Sequence, residues 1–88
     1  DDAVALQTFD LLLAQTAANR EAAGLRAAVL IAKADVLVRQ NRWPEARVLL
    51  DEAVAVDPDD ASTLNYAGYS ALERRDNVPE AMARIERA

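Results

Sequence analysis

The sequence contains no cysteine and no histidine. Lack of cysteine excludes disulfides and thiolate metal sites, and is compatible with a reducing or an oxidising compartment alike. Lack of histidine removes the side chain whose ordinary pKa suits proton transfer near neutral pH. Lys33 is the lone lysine, and no phosphate-cradling glycine loop surrounds it. Bulky aromatics are scarce, with one Trp, one Phe and two Tyr, so alanine carries much of the 52% hydrophobic share. Long apolar runs are missing as well. Lys33 and Asp35 interrupt the greasiest stretch, residues 27–38, and nothing approaches the roughly 20 apolar residues of a membrane span. No basic leader followed by an apolar core opens the sequence, which begins Asp1-Asp2, so neither a signal nor a lipid anchor is expected within these residues.

Positive charge is in short supply: Lys and Arg number 10 against 15 Asp and Glu, a net charge of −5. Nucleic acids and anionic membranes are bound by positive surfaces that displace counterions, so both are poor partners for this chain. Neutral or basic protein partners suit it better. A chain of 88 residues makes one domain at most and buries only about 60% of its unfolded surface, which leaves no room for a large internal active site.

What is abundant is alanine, leucine, arginine and glutamate, side chains that lose little freedom in a helix. Val4, Leu6, Phe9, Leu12, Leu13 and Ala17 recur at the i, i+3, i+4, i+7 spacing of an amphipathic helix over 4–18. Asn19 is a candidate N-cap for a second helix over 21–40, with Glu21 in its positive first turn. Gly24 weakens the start of that helix by about 1 kcal/mol relative to alanine, a place to fray or bend. Asn41-Arg42-Trp43 breaks the pattern, and Pro44 opens a third helix, 44–56, at a position whose N–H has no partner anyway. Asp57-Pro58 ends it. Asp59 or Asp60 caps a fourth, 60–74, whose end carries Arg74 and Arg75 near the negative pole of the dipole. Pro79 opens a fifth, 79–87. Connections this short require antiparallel helical hairpins.

An internal repeat organises these helices. Trp43-Pro44-Glu45-Ala46 recurs as Val78-Pro79-Glu80-Ala81, and Ala46, Leu50 and Ala53 recur as Ala81, Ile85 and Ala88, at a period of 35. Leu30 and Ala34 recur as Leu64 and Gly68 at a period of 34, so the second copy has one additional residue between its helices. Ala34, Ala46, Ala53, Gly68 and Ala81 are small where paired helices would cross, and Leu30, Leu37, Leu50, Leu64 and Ile85 are large enough to fill the spaces between.

With these residues in place, the sequence resembles the tetratricopeptide repeat, a helix-turn-helix unit with a 34-residue period. The resemblance covers about 27–88. Leu30, Ala34, Leu37, Ala46, Leu50, Ala53 and Pro58 match its signature, and Leu64-Asn65-Tyr66-Ala67-Gly68-Tyr69 is similar to a run found in many bacterial members. Lys33 and Ala71 depart from it, and Leu72 is a candidate to take over the role of Ala71. The resemblance implies an all-α fold, an antiparallel helix-hairpin solenoid with right-handed superhelical stacking and about five helices. Within the single domain or fragment 1–88, 4–18 would be the second helix of a degenerate repeat, 21–56 a repeat, and 60–88 a repeat incomplete at its end.

The resemblance also implies function: a protein- or peptide-binding scaffold whose concave face is lined by the first helix of each pair. Ala28, Ile31, Ala32, Asp35, Val38 and Arg39 would form one stripe, and Ser62, Asn65, Tyr66, Tyr69 and Glu73 the other. Ile31, Asp35, Val38, Asn65, Tyr66 and Tyr69 are the candidate peptide-binding residues, the tyrosines as rigid amphipathic anchors. Packing between neighbouring helices is the alternative role for a tyrosine at this spacing. Some relatives clamp a C-terminal carboxylate with cationic and amide side chains, but Ile31 and Asp35 stand there instead. Asp35 and Glu73 favour a basic ligand.

Other readings carry less. Asp57, Asp59 and Asp60 lack the glycine and bidentate glutamate of a calcium loop, having Ser62 and Gly68 about there, so capping is the better reading. Trp43, at a hairpin turn, is read as packing. Glu45, Glu52, Glu80 and Glu86 fall on polar helix faces, and no catalytic, cofactor or metal site is expected. Leu72, Met82 and Ile85 would be left partly open at Ala88, where the last signature residue has no covering helix, so self-association through the open ends is expected. The competing function is structural, a dimerisation or spacer segment of a larger protein with no groove ligand. A small helical bundle closed on itself is a third arrangement.

Overall fold

The computed structural model describes residues 1–16 and 22–88. Among these there are five α-helices and no strand: α1 (Asp2–Thr16), α2 (Ala23–Arg39), α3 (Trp43–Val56), α4 (Ala61–Glu73) and α5 (Val78–Arg87). Ala17, Asn19 and Glu21, to which the sequence assigns the end of one helix and the cap of the next, lie outside the described residues.

Local chemistry accounts for the boundaries. Pro44 and Pro79 lie in the first turns of α3 and α5, where a missing N–H costs nothing. The cap of α4 is Asp60, whose Oδ2 accepts from the Thr63 N–H at 2.8 Å and the Thr63 hydroxyl at 2.7 Å. Both bonds favour the charged carboxylate, and the Asp60 pKa is lowered from its ordinary value. Asn77 caps α5 in the left-handed region, φ 51°, its side chain accepting from the Glu80 N–H. Asn41 and Arg75 also have positive φ. For asparagine this is a familiar conformation, but for Arg75 it is costly, and it serves the longer connection of the second hairpin.

α2 packs along α3 and α4 along α5 as two hairpins; α1 lies against α2, and α3 against α4. The result is a slab, 34 × 30 × 15 Å, one hairpin deep. Leu37, Leu50, Val54 and Leu64 form the main core with Ala34, Ala46 and Ala67, while Leu30 packs with Ala27 and Ala53 beside it. Leu30, Leu50 and Leu64 are the largest fully buried side chains, each contributing about 1.5–3 kcal/mol by leaving water. Gly68 is buried where α4 crosses α5: a Cβ built there would meet Ile85 Cγ1 at 2.6 Å and the Ala81 carbonyl oxygen at 2.9 Å. Ala71 keeps its inward position and is buried, with Leu72 only half-buried, so Leu72 does not displace it.

Ion pairs staple the layers. Arg26 donates to the Leu13 carbonyl at 2.9 Å and to Glu52 at 3.0 Å, joining α1, α2 and α3. Lys33 pairs with Asp10. Arg47 on α3 reaches Asp76 in the α4–α5 connection and Glu80 on α5, and Arg84 returns from α5 to Asp51 at 3.0 Å. Glu45, Glu52 and Glu80, on the polar helix faces, are therefore ion-paired.

Candidate functional site

The hairpin arrangement sets α2 and α4 side by side, with α3 and α5 as their partners behind. Tyr66 bridges the two: its hydroxyl donates to Asp35 Oδ1 at 2.8 Å. Burial first, and then the bond to the Asp35 carboxylate, push the Tyr66 phenol up to about 12, because burial penalises the charged phenolate and the carboxylate accepts from the neutral hydroxyl while repelling a second negative charge. The second Asp35 oxygen lies 3.6 Å from the Arg39 guanidinium. Glu73 has Arg74 at 3.8 Å. Both acids expected to attract a basic ligand thus have partners within the chain.

The other candidate residues divide by exposure. Ile31 and Val38 are half-buried and pack against the core, Ile31 touching both clusters. They form a floor. Asn65 is exposed, and Tyr69 keeps 52% of its surface in contact with solvent, a large value for an aromatic residue in a protein with few.

At the Gly24 end of this face there is a hollow of about 350 Å³ lined by Gly24, Ala28 and Ile31 of α2, Asp57 and Asp60 of the α3–α4 connection, and Ser62 and Thr63 of α4. Ala28, Ile31 and Ser62 belong to the stripes marked in the sequence, but Gly24 and Asp57 do not. The sequence shows Gly24 only as a weak point of a helix. Its part in the hollow depends on the tertiary approach of Asp57, whose Oδ2 would lie 3.9 Å from a Cβ at Gly24. A smaller hollow of about 220 Å³ between α1, α2 and α3 is rimmed by the Lys33–Asp10 and Arg42–Glu45 pairs.

A further cluster lies on the α3 and α5 side. The Trp43 indole N–H donates to Asp76 Oδ2 at 2.8 Å, Arg47 pairs with the same carboxylate, and the Arg74 guanidinium lies 4.8 Å from the Trp43 ring centre. Arg47 and then the Trp43 N–H hold the Asp76 carboxyl below its ordinary value. Trp43 packs against the core as expected. Its polar edge and the role of Asp76 are invisible in the sequence, because the partners are about one repeat apart. The one hint is the additional residue of the second connection.

The sequence model of the tetratricopeptide repeat matches residues 27–70, half of the chain. No curated protein and no solved structure matches it. The matched stretch runs from within α2 through α3 to Ser70 of α4, so it takes in one whole connection of the first hairpin and the start of the second. Repeats of this kind are in general modules of protein–protein interaction, typically without catalytic chemistry. Matched over half its length and built of the paired helices that the repeat requires, the chain belongs to the tetratricopeptide repeat family.

Proposed function

We propose that the face shared by α2 and α4 binds an extended or helical peptide of a partner protein, with Tyr69 and Asn65 as the accessible contacts and Ile31, Val38 and the ring of Tyr66 as the floor. The observation that carries this reading is the exposure of Tyr69 beside exposed Asn65 on the same helix. A helix gains nothing for its own stability from a solvated tyrosine there, whereas a peptide groove gains a rigid anchor and a side-chain amide for the ligand backbone. Tyr66 acts differently: its hydroxyl is engaged with Asp35, so it contributes ring area and fixes the spacing of the two helices. The interface is small, in the transient range below about 1,200 Å². No catalytic step, cofactor or metal enters this reading, and no described helix is long and apolar enough to cross a membrane.

The test is a peptide array followed by titration of the captured peptides against Tyr69→Ala and Asn65→Ala. Both residues are exposed, so the variants should melt like the wild type, and affinity should fall at least severalfold. Equal binding by both variants would move the site elsewhere. Self-association is a second reading, favoured by Val78 and Met82 of α5, which are 38% and 42% exposed. Sedimentation over a range of concentrations separates the two, since a monomer at high concentration excludes association through α5.

A further inference from the structure

We infer that the hollow between Gly24 and Asp57 receives one arginine or lysine side chain of the bound peptide, an inference that rests on the groove reading above and assigns its ligand a charge and a register. The shape comes first. Ala28 and Ile31 give the hollow an apolar wall suited to the aliphatic stem of a long basic side chain. Its volume of about 350 Å³ lies at the low end for ligand pockets, about 300–1,000 Å³, enough for a side chain and too little for a folded element. Ile31 belongs both to this wall and to the floor of the groove, so a chain lying along α2 and α4 passes its mouth.

The charge is the second observation. Asp57 is the C-cap of α3, its N–H bonded to the Ala53 carbonyl, and therefore stands at the negative pole of that helix, where a cation is favoured. Its carboxylate has no hydrogen bond and no ion pair with any described residue, whereas Asp10, Asp35, Glu45, Asp51, Glu52, Asp76 and Glu80 all have cationic partners. Asp60, on the same rim, uses Oδ2 for Thr63 and keeps Oδ1 free of bonds to described residues. Two carboxylates with unused acceptors, an apolar wall and a net charge of −5 complement a guanidinium or ammonium group. They do not complement calcium, which takes six to eight oxygen ligands, more than a half-apolar hollow offers. The intended attraction by Asp35 and Glu73 is weakened by their own partners, which shifts the basic specificity to this end of the groove.

Gly24 supplies an independent handle. A side chain there would project toward Asp57, so Gly24→Leu fills the hollow and leaves every charge in place, while Asp57→Asn removes the charge and keeps the shape. The experiment is backbone-amide NMR on the whole 88-residue chain, titrated with three probes: a capped pentapeptide with arginine between leucines, the same peptide with citrulline for arginine, and calcium chloride. The arginine peptide should shift the amides of Gly24, Asp57 and Ser62. The citrulline peptide, Asp57→Asn and Gly24→Leu should each weaken that response about 10-fold or more, the scale of a lost charge-assisted hydrogen bond or a blocked site. Should Gly24→Leu fail to fold, the citrulline peptide and Asp57→Asn still decide, since the Asp57 side chain bonds no described residue. The inference is overturned if arginine and citrulline peptides bind alike, if calcium alone moves these amides, or if nothing does. Shifts at Asn65 and Tyr69 that ignore citrulline and Asp57→Asn would sink the basic pocket and leave the groove standing.

Discussion

Gly68 and Gly24 both lie within helices, and replacing each by alanine isolates the cost of the close approach of α4 to α5 at Gly68. At Gly24 the nearest atom to a new Cβ is Asp57 Oδ2 at 3.9 Å, ordinary contact, so Gly24→Ala should gain up to about 1 kcal/mol of helix propensity. At Gly68 the same gain is opposed by Ile85 Cγ1 at 2.6 Å and the Ala81 carbonyl oxygen at 2.9 Å. The isoleucine can rotate away, but the carbonyl belongs to the backbone of α5, and relieving that contact means moving the helix. Overpacking of this kind costs about 1–3 kcal/mol. Propensity enters both substitutions, though less at Gly24, the second residue of α2, than at mid-helix Gly68, so the difference between them is a lower bound on the clash, and in a domain of this size about 1 kcal/mol moves the melting temperature by about 4–8 °C. Gly24→Ala should therefore melt at least about 4 °C above Gly68→Ala, and Gly68→Leu should disrupt folding further. Thermal melts followed by circular dichroism give the answer. Equal melting temperatures for the two alanine variants, or a Gly68→Leu melt unchanged from wild type, would refute the α4–α5 contact.

Leu64→Ala, which empties a position 1% exposed, should cost about 2–5 kcal/mol in urea unfolding, a large part of the roughly 5–15 kcal/mol available to a small domain. Asp76→Asn should lower the melting temperature at neutral pH. The folded pKa of Asp76 is below its ordinary value, so its stabilisation is complete above that value, about 4, and is lost as pH falls through the folded one; the gap between variant and wild type should close in acid. Tyr66 has the opposite sign. Its folded pKa is raised from the ordinary 10.0 to about 12, so its contribution holds below pH 10 and is lost as pH rises through 12, and Tyr66→Phe should remove this alkaline loss and the corresponding late phenolate absorbance.

Much of the fold is legible in the sequence because local rules decide it. Pro44, Pro79 and Asp60 mark helix starts by their own backbone chemistry, and helix limits fall within two residues of the periodicity for α2 to α5. The small residues Ala34, Ala46, Ala53 and Ala81 announce their burial by recurring with the repeat. Gly68 follows the same logic. What sequence spacing does not supply is the register between helices. It places Asp35 and Tyr66 on facing stripes but not in a hydrogen bond, and it shows Glu80, Arg47 and Asp76 as separate charges, not as one network. The hollow is hidden for the same reason, since Gly24 and Asp57 are distant in sequence and meet only when the first hairpin closes.

Site-directed photocrosslinking tests the central claim, that partners engage the α2–α4 face, more directly than any loss of affinity. A benzophenone amino acid replaces Tyr69 in one protein and Val48 of α3, itself 65% exposed, in another, each with a melt matching the wild type. Peptides selected on the array should form adducts at position 69, mapped by mass spectrometry to the bound peptide, and none above background at position 48. Adducts at position 48 with position 69 silent would place the interface on the other side of the hairpins and contradict the account.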